Sequence, residues 1–306
     1  MLEITGQLPS DHADTAAVIG KFDALHLGHQ QLLHELVEIS EEAGLAAAVV
    51  TFDRHPNYVL RPEEVQLPIT GASQKRELLE AAGVDLLSII HFDEKLANLT
   101  PDEFVQTHII PLRSRIVLVG KGFRFGRGGL GDFETLRELG MKCGFQAREI
   151  SNVEANGSKI STSIIRTLLD QGKVESANLL LGRNHATKGE VEHGRKLGRK
   201  LGYPTANFSR SSEGYLPADG VYAGYLIADG VRYPAAHSVG TNDSIEAVPR
   251  LLESHVIGRD DLDLYGKTVV CEYVAQVRGW AKFESIEQLT AQIAADVARA
   301  KLLLAE

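Results

Sequence analysis

Short apolar runs and amphipathic runs alternate along the first half of the chain. The apolar, strand-like runs lie at residues 16–19, 46–51, 86–92, 116–119 and 146–150. Between them, apolar residues recur with helical spacing at residues 30–43, 73–82, 101–108 and 133–143. This alternation predicts an α/β fold in which helices cover both faces of a parallel sheet.

The alternation stops near Arg183. Three short β-rich runs follow, broken by glycine and proline, at residues 189–191, 220–226 and 268–274. They predict a small antiparallel β-barrel, closed by an amphipathic helix over residues 286–304. We therefore expect two domains, residues 1–183 and 184–306.

Composition narrows the class of protein. The chain has 306 residues, 43% of them hydrophobic, and a formal net charge of −9, which argues against general binding to nucleic acid. It has no apolar run of about eighteen residues and no visible signal peptide, so we expect neither a membrane span nor export. Cys143 and Cys271 have no spaced partners, which fits a reducing cytoplasm. Small molecules are the expected partners; nothing predicts the oligomeric state.

The segment from Gly20 to His29 combines a tight turn with two histidines. It reads Gly-Lys-Phe-Asp-Ala-Leu-His-Leu-Gly-His and lies between a predicted strand and a predicted helix. At a helix start, His26 and His29 can point toward one spot beside backbone N–H groups and the positive end of the helix dipole. A triphosphate fits there, and Gly28 leaves room for a phosphate to approach. The alternatives are ordinary surface or core histidines, or a metal site, although metal-binding pairs on helices prefer another spacing.

Two more loops follow predicted strands, where ligands bind in open parallel sheets. Residues 51–56 read Thr-Phe-Asp-Arg-His-Pro, and the proline disfavours helical backbone at His55. Residues 120–129 carry five glycines, two aromatic residues and three cations, which suit a phosphate or a ring. A plain loop is the alternative in both cases.

A second candidate helix start lies at residues 159–166, Lys-Ile-Ser-Thr-Ser-Ile-Ile-Arg. Ser161 is a good N-cap residue. Hydroxyl groups and N–H groups at a helix start, with Arg166 one turn later, can clamp a phosphate. Capping alone explains Ser161 but not Arg166.

The second half has its own dense stretch, from Gly194 to Phe208, which is rich in glycines and cations and contains Gly-Tyr-Pro-Thr-Ala-Asn. The neutral oxygens of Thr205 and Asn207 suit Mg²⁺ bridging nucleotide phosphates; the alternative is a basic hairpin. Glu253 lies between apolar residues in a strand-like run. It is either an edge residue of the barrel or a base that takes a proton from an attacking alcohol.

These motifs carry a family resemblance. His-x-Gly-His at 26–29 and Ile-Ser-x-Ser-x-x-Arg at 160–166 resemble the two signatures of a nucleotidyltransferase superfamily with a Rossmann-like fold. Gly-Tyr-Pro-Thr-Ala-Asn, Pro-x-x-Gly-Val-Tyr at 217–222 and Asp-Leu-Tyr-Gly at 263–266 resemble flavokinase modules. In this order, over nearly the whole chain, they are similar to the prokaryotic bifunctional riboflavin kinase/FMN adenylyltransferase (FAD synthetase) family.

The resemblance implies two reactions. Riboflavin and ATP give FMN in the C-terminal module, and FMN and ATP give FAD and pyrophosphate in the N-terminal module, with Mg²⁺ as cofactor. It implies that His26 and His29 stabilise charge near the transferring α-phosphate, that Glu253 is the kinase base, and that Thr205 and Asn207 hold the metal. The implied ATP-binding positions are Gly20, Phe22, Asp23, Gly28, Ser161, Thr162, Arg166, Gly194, Arg199, Thr205 and Asn207. The flavin-binding candidates are Phe52, His55, Pro56, Phe123, Arg124 and Phe125.

Three positions depart from the family pattern. Gly122 stands where an acidic or amide residue is usual, Ala24 where a glycine is usual, and residues 240–244 lack the usual proline. A kinase with a weakened or lost adenylyltransferase is therefore one alternative. Another nucleotidyltransferase fused to an unrelated barrel, and a flavin-binding regulatory protein without turnover, are the others.

Overall fold

The computed structural model describes residues 1–6, 8–9, 11–151, 154–155, 158–194, 198, 201–240 and 250–305. The chain forms two units. The first contains Met1–Pro68 and Lys75–Ile160, and the second contains Ile69–Gln74 and Ser161–Glu306. Each unit has its own sheet.

The strands of the first unit are β1 (Leu2–Ile4), β2 (Thr15–Ile19), β3 (Ala46–Phe52), β4 (Leu86–Ile90), β5 (Ser114–Gly120) and β6 (Gln146–Ile150). The helices in this half are α1 (Leu27–Ala43), α2 (Asn57–Leu60), α3 (Ala72–Ala81), α4 (Glu94–Asn98), α5 (Pro101–His108) and α6 (Phe133–Cys143). Short 3₁₀ turns lie at Pro62–Glu64, Ile110–Leu112 and Arg127–Gly129. A small hairpin pairs β7 (Glu154–Ala155) with β8 (Ser158–Lys159).

All six strands of the main sheet are parallel, in the order β1-β4-β3-β2-β5-β6. Because side chains alternate along a strand, each strand supplies two cores. In β2, Ala17 and Ile19 belong to one buried cluster with Phe104, whereas Ala16 and Val18 belong to another with residues of α1. This explains why the strands are apolar throughout, as both faces are covered.

The predicted α/β alternation is confirmed. All five predicted strands and all four predicted helices of the first half are present. The pattern did not indicate the short elements β1, α2 and α4 or the hairpin formed by β7 and β8. They are too short to show a hydrophobic period. Helix α1 begins at Leu27, earlier than the apolar period suggested, because the side chain of His26 caps it.

The second unit contains α7 (Thr162–Asp170), α8 (Val174–Leu181) and a closed barrel. The barrel strands are β9 (His185–Glu192), β10 (Ala206–Phe208), β11 (Gly220–Ala228), β12 (Val231–Gly240), β13 (Leu251–Val256) and β14 (Thr268–Gly279). They pair antiparallel in the order β10-β13-β12-β11-β14-β9. The predicted antiparallel barrel with a terminal helix is confirmed; that helix, α9, spans Ile286–Leu303.

A polar network lies inside the barrel. The imidazole of His237 is fully buried, with Nδ1 2.9 Å from Ser254 Oγ and Nε2 3.1 Å from the carbonyl oxygen of Glu272. The rings of His185, Tyr222 and His237 all pack on Tyr273. Both ring nitrogens of the buried His237 therefore have polar partners within the barrel, as buried polar groups require.

Candidate functional site

The first candidate site is built on the turn between β2 and α1. Phe22 and Leu25 are buried there with positive φ angles of 48° and 46°. The ring of Phe22 covers Gly20, where a Cβ atom would lie 2.9 Å from it. Gly20 is therefore required by this close approach, and the strained turn is held by burial of the Phe22 ring.

The turn places His26 and His29 at the start of α1. Their rings stack, with centroids 3.8 Å apart and an angle of 12° between the planes. The backbone N–H of His29 donates to Nδ1 of His26, at 3.3 Å, so His26 is the N-cap residue. Since Nδ1 accepts this bond, the neutral His26 ring carries its proton on Nε2, which can donate to an anion. Gly28 lies between the two histidines, in the first turn of the helix.

The end of β3 contacts the same turn. The Thr51 hydroxyl donates to the carbonyl of Lys21, at 3.1 Å, and the Lys21 Nζ lies 3.1 Å from Nε2 of His55. Burial lowers the pKa of Lys21, and the Asp23 carboxylate opposes that shift. The structure thus brings His55 and Asp23 to the histidine-bearing turn, as the positions after neighbouring parallel strands predict.

The neighbouring aromatic and proline residues have packing roles. The ring of Phe52 meets that of Phe92 edge to face, at 5.5 Å. Pro56 directly precedes α2. Their assignment to flavin binding is untested and stays a prediction.

The glycine-rich loop after β5 is partly core and partly surface. The rings of Phe123 and Phe125 stack at 5.4 Å. Phe125 is buried, and its ring packs at 5.7 Å from Phe104. Arg124 is exposed, 3.6 Å from a carboxylate oxygen of Asp132. Gly122, at φ 80°, is exposed. Of the three flavin-binding candidates here, Phe123 and Arg124 keep surface for a ligand, and Phe125 mainly anchors the loop.

The third predicted motif begins α7 in the second unit. The Ser161 hydroxyl accepts from the N–H of Ile164, at 3.3 Å, which confirms it as the N-cap residue. Thr162 is the first residue of the helix. The guanidinium of Arg166 lies over the ring of Tyr215, 4.9 Å from its centroid. The phosphate-clamp role of these residues stays a prediction.

The second candidate site lies on strands β10 and β13 of the barrel. Asn207 pairs with Glu253 across the two strands. The Thr205 hydroxyl donates to Oε2 of Glu253 at 3.1 Å, and the Asn207 amide donates to the carbonyl of Thr205 at 3.3 Å. A Cβ atom at Gly194 would lie 2.5 Å from the Asn207 side chain, so a larger residue there would have to displace the Asn207 amide. Three residues of the Gly194–Phe208 stretch and Glu253, from a separate part of the sequence, thus lie in one cluster.

A small cleft of about 50 Å³, open to solvent, adjoins this cluster. Its lining is Val191, Pro204, Thr205, Ala206, Ser254, Val256, Arg259, Asp260, Leu262, Leu264 and Tyr265. The mixture of apolar side chains with a few polar groups is typical of a small-molecule site.

The cluster fits a hard cation only in company with phosphates. Thr205, Asn207 and Glu253 offer hydroxyl, amide and carboxylate oxygens, the donor types that Mg²⁺ takes. Among the described residues, no group of three or more His, Cys, Asp or Glu side chains could hold a metal ion by itself. Arg199 and the segment 241–244 lie outside the described residues.

Family models match both units. A model described as FAD synthetase matches residues 8–164, and one described as riboflavin kinase matches residues 181–304. A protein of Bacillus subtilis (strain 168), named bifunctional riboflavin kinase/FMN adenylyltransferase, is 34% identical over 293 residues, covering 94% of this chain and 92% of its own. The chain belongs to this bifunctional family.

A second relative carries the same name, and one solved structure shares the fold. The Escherichia coli (strain K12) protein of the same name is 32% identical over 280 residues, covering 91% of this chain and 89% of its own. A crystal structure described as a macrolide-efflux protein from Streptococcus pneumoniae has the same fold, with a TM-score of 0.88, 30% identity and 98% of each chain covered. Within the described residues, no helix has the length and apolar character needed to cross a membrane.

The sequence analysis did not identify two residues that lie beside the candidate sites, Lys75 and His255. Lys75, on α3, donates from Nζ to the carbonyl of Lys21, at 3.3 Å. His255 Nδ1 lies 2.9 Å from the carbonyl oxygen of Pro204 and so supports the Pro-Thr corner. Lys75 looks like any polar helix residue. His255 follows Glu253 by two positions, so strand periodicity could have placed both on one face.

Proposed function

We propose that this chain carries out both reactions of its family, each in its own unit. It phosphorylates riboflavin to FMN and adenylylates FMN to FAD. The observation that carries the proposal is that each unit brings two predicted catalytic or metal-binding residues into direct contact. The stacked histidines begin α1 in the first unit, and the Thr205–Glu253 pair joins β10 to β13 in the second.

In the kinase reaction, Glu253 accepts the proton of the riboflavin 5′-hydroxyl. The freed oxygen attacks the γ-phosphorus of ATP, and the bond to the β-phosphate bridging oxygen breaks, which releases ADP. Glu253 is half-buried on β13, where Thr205 fixes the orientation of its carboxylate by a hydrogen bond. Such positioning matters because phosphoryl transfer depends mainly on alignment and charge stabilisation.

Thr205 and Asn207 would hold Mg²⁺, with the nucleotide phosphates completing its coordination. When bound, the metal neutralises phosphate charge. Gly194, which touches Asn207, lets the chain approach the phosphates closely. We assign Arg199 to the same phosphates from its sequence motif alone.

In the adenylyltransferase reaction, a phosphate oxygen of FMN attacks the α-phosphorus of ATP, and pyrophosphate leaves. His26 donates from Nε2–H to the developing charge, with His29 stacked beside it. The N–H groups at the start of α1, together with Gly28, add positive potential. Neither histidine becomes covalently bonded to the nucleotide.

The remaining assignments belong to the same proposal. Ser161, Thr162 and Arg166 bind phosphate, as the second family signature implies. Gly20, Phe22 and Asp23 form the turn that positions the histidines for ATP. Phe52, His55, Pro56, Phe123, Arg124 and Phe125 form the flavin side, supported by the contact of His55 with Lys21.

We also propose that the chain divides functionally at residues 183/184 and works in the cytoplasm on free small molecules. The first assignment is supported by the break in sequence pattern and by the family models, which end at residue 164 and resume at 181. The second is supported by two free cysteines, of which Cys271 is fully buried.

The test is an incubation of the purified chain with riboflavin, ATP and Mg²⁺, with products resolved by chromatography. The proposal predicts that FMN appears first and that FAD follows, and that a chelator stops both. FMN without FAD would remove the adenylyltransferase part. Flavin binding with no product would favour the regulatory alternative.

A further inference from the structure

Two lysines approach the turn that carries the histidines. The Nζ of Lys75 reaches from α3 and donates to the carbonyl of Lys21, at 3.3 Å. The same carbonyl accepts the Thr51 hydroxyl, at 3.1 Å. The Lys21 side chain points to the end of β3, where its Nζ lies 3.1 Å from His55. Two ammonium groups from different elements therefore lie beside one short segment.

The electrostatics of this pair are unusual for surface lysines. Burial lowers the pKa of Lys75 as it does that of Lys21, and in both cases the Asp23 carboxylate acts in the opposite direction. One carboxylate thus serves two partly desolvated ammonium groups. A bound multivalent anion would stabilise the two ammonium groups, because its oxygens replace the interactions that these groups lost with water.

We propose that Lys75 and Lys21 together bind the pyrophosphate portion of ATP and retain it as it leaves during adenylyl transfer. This inference rests on the proposed function of the first unit. Pyrophosphate suits the site because compact, flexible ammonium groups bind phosphate oxygens as point charges. The two side chains start from different elements and so can contact different phosphates, while the helix start with His26 and His29 stays available for the α-phosphate.

Lys75 also has a possible structural role, since its bond to the Lys21 carbonyl supports the turn. The two roles differ in what they affect. Loss of a structural support distorts the turn under the histidines, which lowers kcat with every substrate. Loss of a pyrophosphate ligand raises KM for pyrophosphate and leaves KM for FAD unchanged.

The experiment uses the reverse reaction, in which FAD and pyrophosphate give FMN and ATP. Lys75→Met keeps the length of the side chain and removes its charge, and Lys75→Arg keeps the charge. Lys142→Met, on the exposed side of α6, is the matched control for loss of one positive charge in the same unit. Riboflavin kinase activity of each variant reports on the second unit of the same chain.

We expect Lys75→Met to raise KM for pyrophosphate by about tenfold or more, the effect of one lost charge-assisted hydrogen bond. KM for FAD stays within about twofold, Lys75→Arg recovers most of the loss, and Lys142→Met behaves as the parent chain. An unchanged KM for pyrophosphate in Lys75→Met, or equal losses with FAD and pyrophosphate, would overturn the inference.

Two further results separate this inference from the others. If Lys75→Met does not fold, Lys21→Met is the deciding variant, and the same rise in KM for pyrophosphate is expected. If the parent chain forms no FAD from FMN and ATP, the proposed function of the first unit fails. If the parent chain forms FAD and both lysine variants keep the parent KM, only this inference fails.

Discussion

The Thr205 hydroxyl donates a hydrogen bond to the Glu253 carboxylate across 48 positions of sequence. Thr205 directly precedes β10, and β10 pairs with β13 so that Asn207 lies opposite Glu253. The contact joins the Pro-Thr corner, identified by its motif, to a carboxylate that the sequence alone left undecided between a barrel edge and a base. This pairing is why we assign Glu253 to proton transfer.

Replacing Thr205 by valine tests that pairing. Valine keeps the β-branched shape but removes the hydroxyl, so the carboxylate loses the hydrogen bond that orients it and the proposed metal ligand is removed. We expect riboflavin kinase kcat to fall about a hundredfold, in the range for a misaligned catalytic group. Thr205→Ser, which keeps the hydroxyl, stays within about tenfold of the parent chain. Steady-state kinase assays check this, and equal activities of the valine and serine variants would contradict it.

His26 has two roles that substitution can separate. Its ring caps α1 through Nδ1, and we propose that its Nε2–H donates to the phosphate. Asparagine is also a good N-cap residue, so His26→Asn should keep the stability of the first unit. His26→Ala removes the cap and should lower the free energy of unfolding by about 1 kcal/mol. Both variants should lose adenylyltransferase activity by about a hundredfold or more. Calorimetry and FAD formation from FMN measure the two effects; an active His26→Asn would exclude the electrostatic role.

The buried histidines of the barrel predict acid sensitivity. Burial lowers the pKa of His237 to about 3 and that of His185 to about 4. An unfolded chain binds these protons near pH 6.5, whereas the folded chain does not, so stability is present above pH 6.5 and is lost as the pH falls toward 4. Because the unfolded chain binds these two protons, the free energy of unfolding should be lower by about 4 kcal/mol at pH 5 than at pH 8.

Urea unfolding of the second unit at several pH values checks this expectation. His237→Asn should have a shallower pH dependence than the parent chain, because one of the two proton-binding groups is gone. His34→Gln, which changes an exposed histidine of α1, should keep the parent dependence. Equal slopes in all three chains would contradict the assignment.

The terminal helix depends on one buried ion pair. Asp296 of α9 is 5% exposed and accepts from the guanidinium of Arg278, on β14, at 2.8 to 3.0 Å, and from Gln292 at 2.8 Å. Asp296→Ala leaves Arg278 without this partner, and we expect the free energy of unfolding to fall by about 3 kcal/mol. Asp261→Ala breaks the exposed pair with Arg259 and should leave stability unchanged. Chemical denaturation measures the free energy of unfolding of both variants. Equal decreases in the two variants would contradict a stabilising role for the Arg278–Asp296 pair.

In the parallel sheet, sequence periodicity predicted the strands that are long enough to show a period, whereas in the second unit it missed the ten-residue strand β12 and the helix α8. The predicted sheet contained five of the six strands and omitted only β1, an edge strand of three residues. Strand β10 is equally short, and it lies within the motif that carries Thr205 and Asn207. Short elements are stabilised by pairing with distant strands, which local sequence does not contain.

The motifs indicated candidate site residues, but they did not predict what most of those residues contact. The stacking of His26 on His29 follows from a helix start, which is local. The approach of Lys75 to Lys21 depends on how α3 packs on the sheet, and the burial of Phe125 depends on α5. Tertiary packing decides both, so an aromatic residue in a glycine-rich loop was indistinguishable from a ligand contact before the structure.

The central claim is that two independent sites in one chain act in sequence on the same flavin. The most direct test follows the flavin products from riboflavin and ATP with His29→Ala alone, Glu253→Gln alone, and an equal mixture of the two chains. We predict FMN but no FAD from the first, unchanged riboflavin from the second, and FAD from the mixture. No FAD from Glu253→Gln when FMN is supplied directly, or a mixture that forms no FAD, would contradict the claim.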